Sequence, residues 1–497
     1  MKTARLQPAV ERFLGALGHS PDLIVRQLLW RGSLPIAVLY MEGMADSQTL
    51  LEAVLIPLSS GIGDKRIPDD SGDAELERLA SEVLRAGDLA LVDDFDVMLD
   101  RLLAGQAIVL AEGSSRGIRV NVAGMEERSV SEPLTQTVVR GPLEAFTENM
   151  QTNVALIRRR IRSPHLWIEA REIGKVTKTA VSILYLSNIA GASLVEEVRR
   201  RLDAIDIDGI LESGYIEEFI QEKTFTPFPT VYNSERPDSV AAGLLEGRVA
   251  VLVNGTPFVL LVPGLFVHFF QSAEDYAQRS DISTLIRLLR YLSFLIALFA
   301  PSMYIAVTTF HQELLPTSLL INLASQREGV PFPAFIEALL MEITYEILRE
   351  AGIRMPRTVG QAVSIVGTLV IGQAAVQAGI ISAVMVIIVS ITAISSYVMP
   401  AGSMSISVRM LRFAFMALAA SFGLFGILLG LFGLSFHLCK LSSFGVPYMT
   451  PLAPFFAADQ KDTLFRYPWP RMIARPSRMN SKNPVRQKSA GNGGKKH

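Results

Sequence analysis

ISTLIRLLRYLSFLIALF, residues 282–299, decides the architecture. Its first half sets Arg287 and Arg290 among leucine and isoleucine, and from Tyr291 onward the charge disappears. Ahead of this point charges are frequent and apolar residues come in short bursts, whereas beyond it long stretches carry almost no charge. The boundary near residue 284 therefore separates a soluble part from a membrane part. Composition agrees, since 49% hydrophobic and 19% charged residues with a mean hydropathy of +0.33 are too apolar for a typical soluble chain and too charged for a pure membrane bundle. A length of 497 residues also exceeds one ordinary core.

Working toward the C-terminus, four stretches approach the ~20 apolar residues that span a hydrocarbon core: 291–310, 359–379, 380–399 and 413–438. Residues 285–440 are thus expected to be a helical transmembrane domain. Residues 441–497 turn rich in proline and then in Arg, Lys, Ser and Gly, and are expected to be a largely disordered cytoplasmic tail. Arg287 and Arg290 precede the first span and ten Lys or Arg follow residue 440, so the positive-inside rule puts both ends in the cytoplasm and makes the number of crossings even. Four crossings leave Arg354, Arg357, Arg409 and Arg412 on the outer side or at an interface. Six result if 314–324 and 334–348 also enter the membrane.

Working toward the N-terminus, the soluble half reads as a duplication. SPDLIVR at 20–26 answers SPHLWIE at 163–169, IAVLYM at 36–41 answers VSILYL at 181–186, and TLLEAVLIPL at 49–58 answers SLVEEVRRRL at 193–202. LLAGQAIVLAEG at 102–113 answers LLEGRVAVLVNG at 244–255. Each copy reads as strand, strand, helix, helix and a β-hairpin turning at Gly113 or Gly255. Residues 1–142 form the first small α/β subdomain on this reading, and 143–284 a linking helix (about 143–162) followed by the second. MKTARLQPAVERF at the start has no continuous apolar run, so no cleaved signal peptide is expected.

Several chemistries are excluded by absence of pattern. A net charge of −1 gives no field for a nucleic-acid backbone. The single cysteine, Cys439, allows no intramolecular disulfide and no Cys-based zinc site, and in its apolar run it reads as a buried structural thiol. No HExxH, CxxC, Walker-type or GxSxG motif occurs, and the six histidines are scattered singly, so neither catalytic nor metal-binding residues are assigned and no cofactor is expected. The arginine clusters at 158–162 and 199–201 read as solvated helix faces, or else as contacts to a partner or to anionic lipid.

The helical half carries the positive signals. Residues 333–350 carry Glu337, Glu342, Glu346 and Glu350 on one helical pattern. That is too many acids for a lipid-facing span, and the row is either a solvated face or a cation-attracting or subunit-contacting surface. In 359–379, Ser364, Thr368, Gly372, Ala375 and Gly379 make a small-residue seam suited to close helix packing. Roughly opposite lie Val363, Val366 and Val370, continued by Gln373 and Gln377. That face suits a water-filled path closed by an apolar constriction, a buried helix contact, or, least well, lipid. GLFGILLGLFG places Gly423, Gly426, Gly430 and Gly433 in a second packing stripe.

Three strings resemble the GerA family of spore germination proteins, specifically its A-type subunit. They are SEPLTQTVVRGPLEAFTENMQTNVALIRRRI at 131–161, the long run from LLPTSLLINLASQREGVPF to ITAISSYVMP at 314–400, and FGVPYMTPLAPF at 444–455. The resemblance implies a non-enzymatic subunit of a nutrient-sensing germinant receptor in the spore inner membrane. It also implies a transporter-like B subunit and a lipoprotein C subunit as partners, with the A-type chain forming a homo-oligomeric, nutrient-gated ion path. Two other readings stand beside it: a scaffold that clusters partners and conducts nothing, and a secondary transporter, which the few spans without an inverted repeat disfavour.

Overall fold

The computed structural model describes residues 6–30, 34–59, 72–124, 132–133, 135–222, 225–356, 372–476 and 482–487. Its N-terminal half holds two five-stranded antiparallel sheets with one topology. In the first, β1 (Leu23–Trp30), β2 (Leu34–Met41), β4 (Ala107–Ala111), β5 (Gly117–Val120) and β3 (Leu89–Val92) lie side by side in that order. In the second, β6 (Leu166–Ile173), β7 (Thr179–Leu186), β9 (Val249–Val253), β10 (Val259–Val262) and β8 (Tyr232–Ser234) repeat it. The strands AIVLA of β4 and VAVLV of β9 are buried along their whole length, because helices cover both faces of each sheet.

The covering helices repeat as well. On one face of the first sheet, α1 (Leu6–Ala16) and α2 (Phe95–Leu103) pack Phe13 and Leu102 against Leu39 and Ile108. Helical stretches at 47–59 and 72–83 cover the other face through Val54 and Leu79. In the second copy α3 (Met150–Arg160) and α6 (Pro237–Leu245) take the first role, while α4 (Ala192–Asp203) and α5 (Ser213–Ile220) take the second. The linking helix is shorter than the expected 143–162, since Asn149 caps it by accepting from the backbone N–H groups of Gln151 and Thr152. The outer strands β3 and β8 and the helices α2 and α6 are additions to the pattern read from the sequence.

Beyond the sheets, α7 (Ser280–Thr309) is one helix from the soluble part into the apolar half. It is followed by α8 (Thr317–Arg327), α9 (Ala334–Arg354), α10 (Gly372–Gln377) and α11 (Ala383–Tyr397). The last helical run, Gly402–Lys440, is not the single span expected over 413–438. Gly423 adopts φ 60° and ψ −142°, outside the helical region, and the chain reverses there into two arms, α12 (402–422) and α13 (424–440). Both ends of this hairpin return to one loop of the second subdomain: Ser407 donates to the Pro227 carbonyl at 2.5 Å, and His437 Nε2 lies 2.8 Å from the Thr226 hydroxyl.

Named contacts fix the direction of each helix. Along α12, Arg412 reaches the Ala297 carbonyl, the Phe415 and Phe299 rings lie 4.9 Å apart, and Gly423 sits beside Phe310, so α12 runs parallel to α7. Helix α9 runs the opposite way, with Glu337 near Ser382, Glu342 on Arg412 and Glu346 on Arg409. Helix α11 starts beside Glu337, which accepts from the Ser382 N–H, and ends beside the start of α12, where the Ser405 hydroxyl donates to the Ser396 carbonyl. The buried face of the second sheet, through Leu184 and Leu252, and the helices, through Leu298, Met404 and Phe415, share one hydrophobic cluster.

The tail differs from its expectation over 441–476 and 482–487. Its Tyr448 is fully buried, its Phe266-facing carbonyl accepts a backbone bond, and Lys482 and Arg475 bond the Ser187 and Leu245 carbonyls of the second subdomain. Cys439 is exposed rather than buried, because the last turn of α13 points it outward.

Candidate functional site in the helical half

The acidic row of α9 sorts by depth. Glu337 and Glu342 are fully buried, Glu346 is partly buried and Glu350 is exposed. Glu342 accepts from Arg412 at 2.5 Å, and Arg412, itself 1% exposed, also donates to the Ala297 carbonyl of α7 at 2.8 Å. Glu337 accepts from the Ser382 backbone N–H at 3.0 Å and stands 3.4 Å from Arg327 of α8. Glu346 pairs with Arg409 at 2.6 Å, and Glu350 pairs with Arg354 one turn along its own helix. Charges taken out of water persist only when paired and hydrogen-bonded, and here pairs tie α9 to α8 and α12. A solvated face describes Glu350 alone. Arg409 and Arg412, which a four-crossing chain would put at an outer edge, lie inside the bundle instead.

The glycine positions divide in the same manner. A Cβ on Gly423 would meet His311 Cε1 at 2.7 Å, one on Gly426 would collide with the Leu418 carbonyl, and one on Gly430 would meet the Phe415 ring at 2.7 Å. These three sit where α13 folds against α12, while Gly433 has open space around it. Gly372 is buried, with Val386 Cγ1 at an ordinary 3.7 Å, and Gly379 makes the left-handed turn before α11, at φ 65° and close to the Gly329 carbonyl. Gln373 and Gln377 are exposed on α10. Val363, Ser364, Val366, Thr368 and Val370 lie outside the described residues.

A second constellation was not legible in the sequence, where Arg287 and Arg290 served only as orientation marks. Asp275, 1% exposed, accepts from Arg287 at 2.9 Å and from Arg290 at 2.8 Å. Arg287 also reaches Asp462 in the tail at 2.9 Å, Tyr276 donates to the same carboxylate at 2.8 Å, and Arg290 donates to the Phe270 carbonyl. Burial pushes the Asp462 carboxyl up to about 6, with the Arg287 guanidinium pulling the other way. The first turns of α7 are thereby clasped between the second subdomain and the tail. A similar knot joins the two subdomains: Arg158, read from its cluster as a solvated or partner-facing residue, is buried and pairs with Asp22 at 2.8 Å, while Ser20 accepts from the Ile168 N–H at 3.1 Å.

Residues 11–478 match the family model described as Bacillus/Clostridium GerA spore germination protein. The chain belongs to the GerA family. Among GerA-family relatives, spore germination protein KA of Bacillus subtilis (strain 168) is 49% identical over 473 residues, covering 95% of this chain and 86% of the relative. Spore germination protein GerLA of Bacillus cereus is 38% identical over 468 residues, 94% of each chain. The crystal structure of the N-terminal domain of the A subunit of the Bacillus megaterium spore germinant receptor GerK3 is 37% identical and covers 53% of this chain and 97% of that one, with a TM-score of 0.41. Among the described residues, two helical runs of this GerA-family chain, Ser280–Thr309 and the run Gly402–Lys440 that folds back at Gly423, have the length and hydropathy to cross a membrane.

Proposed function

We propose that this GerA-family protein is the A-type membrane subunit of a nutrient-sensing spore germination receptor. Copies of it assemble around an ion path, in the spore inner membrane, together with a transporter-like B subunit and a lipoprotein C subunit. The observation that carries the reading is the continuity of α7. One helix leaves a clasp of buried charges at the second subdomain, shares a hydrophobic cluster with that subdomain's sheet, and packs along α12 to its far end. A displacement of the soluble half is then passed to the bundle without a flexible joint. Exposed apolar side chains on the bundle, among them Ile391, Ile394, Phe425 and Phe432, suit contact with lipid or with neighbouring copies. The face of Val363, Val366 and Val370 supplies the constriction, with Gln373 and Gln377 at its wet end.

Arg287 and Arg290 before the first span and the ten Lys or Arg after residue 440 support a cytoplasmic place for both termini. Cysteine introduced at Val485 of a Cys439→Ser chain should resist a membrane-impermeant maleimide in intact cells and react after lysis. Labelling in intact cells would put the tail outside. Nutrient-triggered ion flux across liposomes that hold the chain with its B and C partners tests the path itself. A closed oligomer that passes no ions under any nutrient known to trigger its spores would favour the scaffold.

A further inference from the structure

Between α6, the turn after Phe270 and the tail lies a cavity of about 460 Å³ that the proposed ion path does not use. Arg248 lines it and is the unusual residue, being only 5% exposed and having no carboxylate within ion-pairing distance among the described residues. Its Nη2 makes one long bond, 3.4 Å to the Leu261 carbonyl, and its Nε has no partner among the described residues. A buried guanidinium left this way is costly, and burial pulls it down to about 10, where it is still charged at neutral pH. The tail brings a second guanidinium, Arg475, which among the described residues bonds only the Leu245, Asn483 and Val485 carbonyls. Nearby acids are already engaged: Glu246 holds Arg486 at 2.9 Å and Asp238 holds Arg236 at 2.7 Å.

Three aromatic rings, Tyr232, Tyr276 and Trp469, complete the walls, and the Arg248 guanidinium lies 5.4 Å from the centre of the Tyr232 ring. His268 faces the same space with Nδ1 accepting from the Leu265 N–H, which leaves its proton on Nε2 as a further donor. Burial and the nearby Arg248 charge keep that imidazole neutral by lowering it well below its ordinary value. Two cations without carboxylate partners among the described residues, a neutral donor and flat apolar walls form a receptor for a planar anion.

We infer that this cavity binds a small organic anion with a flat unsaturated body, its carboxylate held by Arg248 and Arg475. Because the tail supplies Arg475 and Trp469 and also Asp462 of the α7 clasp, an occupant fastens the tail onto the second subdomain. The test is calorimetric titration of the detergent-solubilised full chain with benzoate, with benzamide as the neutral isostere and inorganic phosphate as the anion lacking a flat body. Benzoate should bind saturably, at least ~10-fold more tightly than either control, from one to two charge-assisted contacts. Arg475→Gln, on the half-buried rim, should weaken benzoate about 10-fold and leave the benzamide isotherm unchanged, and Arg248→Gln should abolish binding. Absence of benzoate binding, equal binding of benzamide, tighter binding of phosphate, or an Arg475→Gln isotherm identical to the parent would each overturn the assignment.

Discussion

Glu342 and Arg412 form an ion pair that is buried on both sides. Glu342→Gln leaves the Arg412 guanidinium, 1% exposed, without its counter-charge, and should destabilise the helical half by about 3–5 kcal/mol. The double variant Glu342→Leu, Arg412→Met should recover most of that loss, since an apolar pair of similar volume avoids the desolvation of both charges. Thermal melts in detergent distinguish the two, and a double variant as weak as the single one would show that the pair is not what the bundle depends on. In the soluble half, Arg200 and then Arg201 hold the Glu197 carboxyl down to about 2. A lowered carboxyl stabilises the fold at pH above its unfolded value near 4.5, and that contribution is lost as pH falls toward 2. Glu197→Gln should lower the neutral plateau by that contribution and leave stability near pH 2 unchanged, which flattens the acid limb between those limits. The sequence displayed each of these charges but none of its partners: Glu342 and Arg412 stand 70 residues apart, and Arg287 and Asp462 stand 175 apart, distances over which periodicity carries no information.

At the scale of elements, repetition made the sheets readable. LLAGQAIVLAEG and LLEGRVAVLVNG both become a helix end followed by the buried central strand of a sheet, because an apolar run bounded by glycine turns has one comfortable place in a covered sheet. Strand β8 is three residues long and β3 four, too short for alternation to register, and so the edges went unread. The hairpin at Gly423 went unread for another reason. Four glycines at helical spacing look the same whether they receive a second helix or let the chain fold back upon itself. Their difference is open to measurement: Gly430→Leu must displace the Phe415 ring, 2.7 Å from its Cβ, and should lower the yield of folded, monodisperse protein, whereas Gly433→Leu enters open space and should be tolerated. Equal yields of the two variants would mean that the arms do not pack as described. Gly372, with its nearest neighbour at 3.7 Å, should fall between them.

Over the whole molecule, the second subdomain, the first turns of α7 and the C-terminal tail behave as one body, joined by Asp275, Arg287 and Asp462 and by a continuous apolar cluster. A sheet subdomain joined to the bundle by one continuous helix is the arrangement that the proposed ion path requires. Its central claim is that this chain itself surrounds the path, with the Val366 face as the constriction. The most direct measurement is ion leakage from liposomes containing the purified, oligomeric chain alone, without nutrient or partner subunits. Val366→Asn should wet the constriction and raise leakage well above that of the unsubstituted chain, which should remain tight. Val366→Asn protein that assembles normally and leaks no more than the unsubstituted chain would contradict the account.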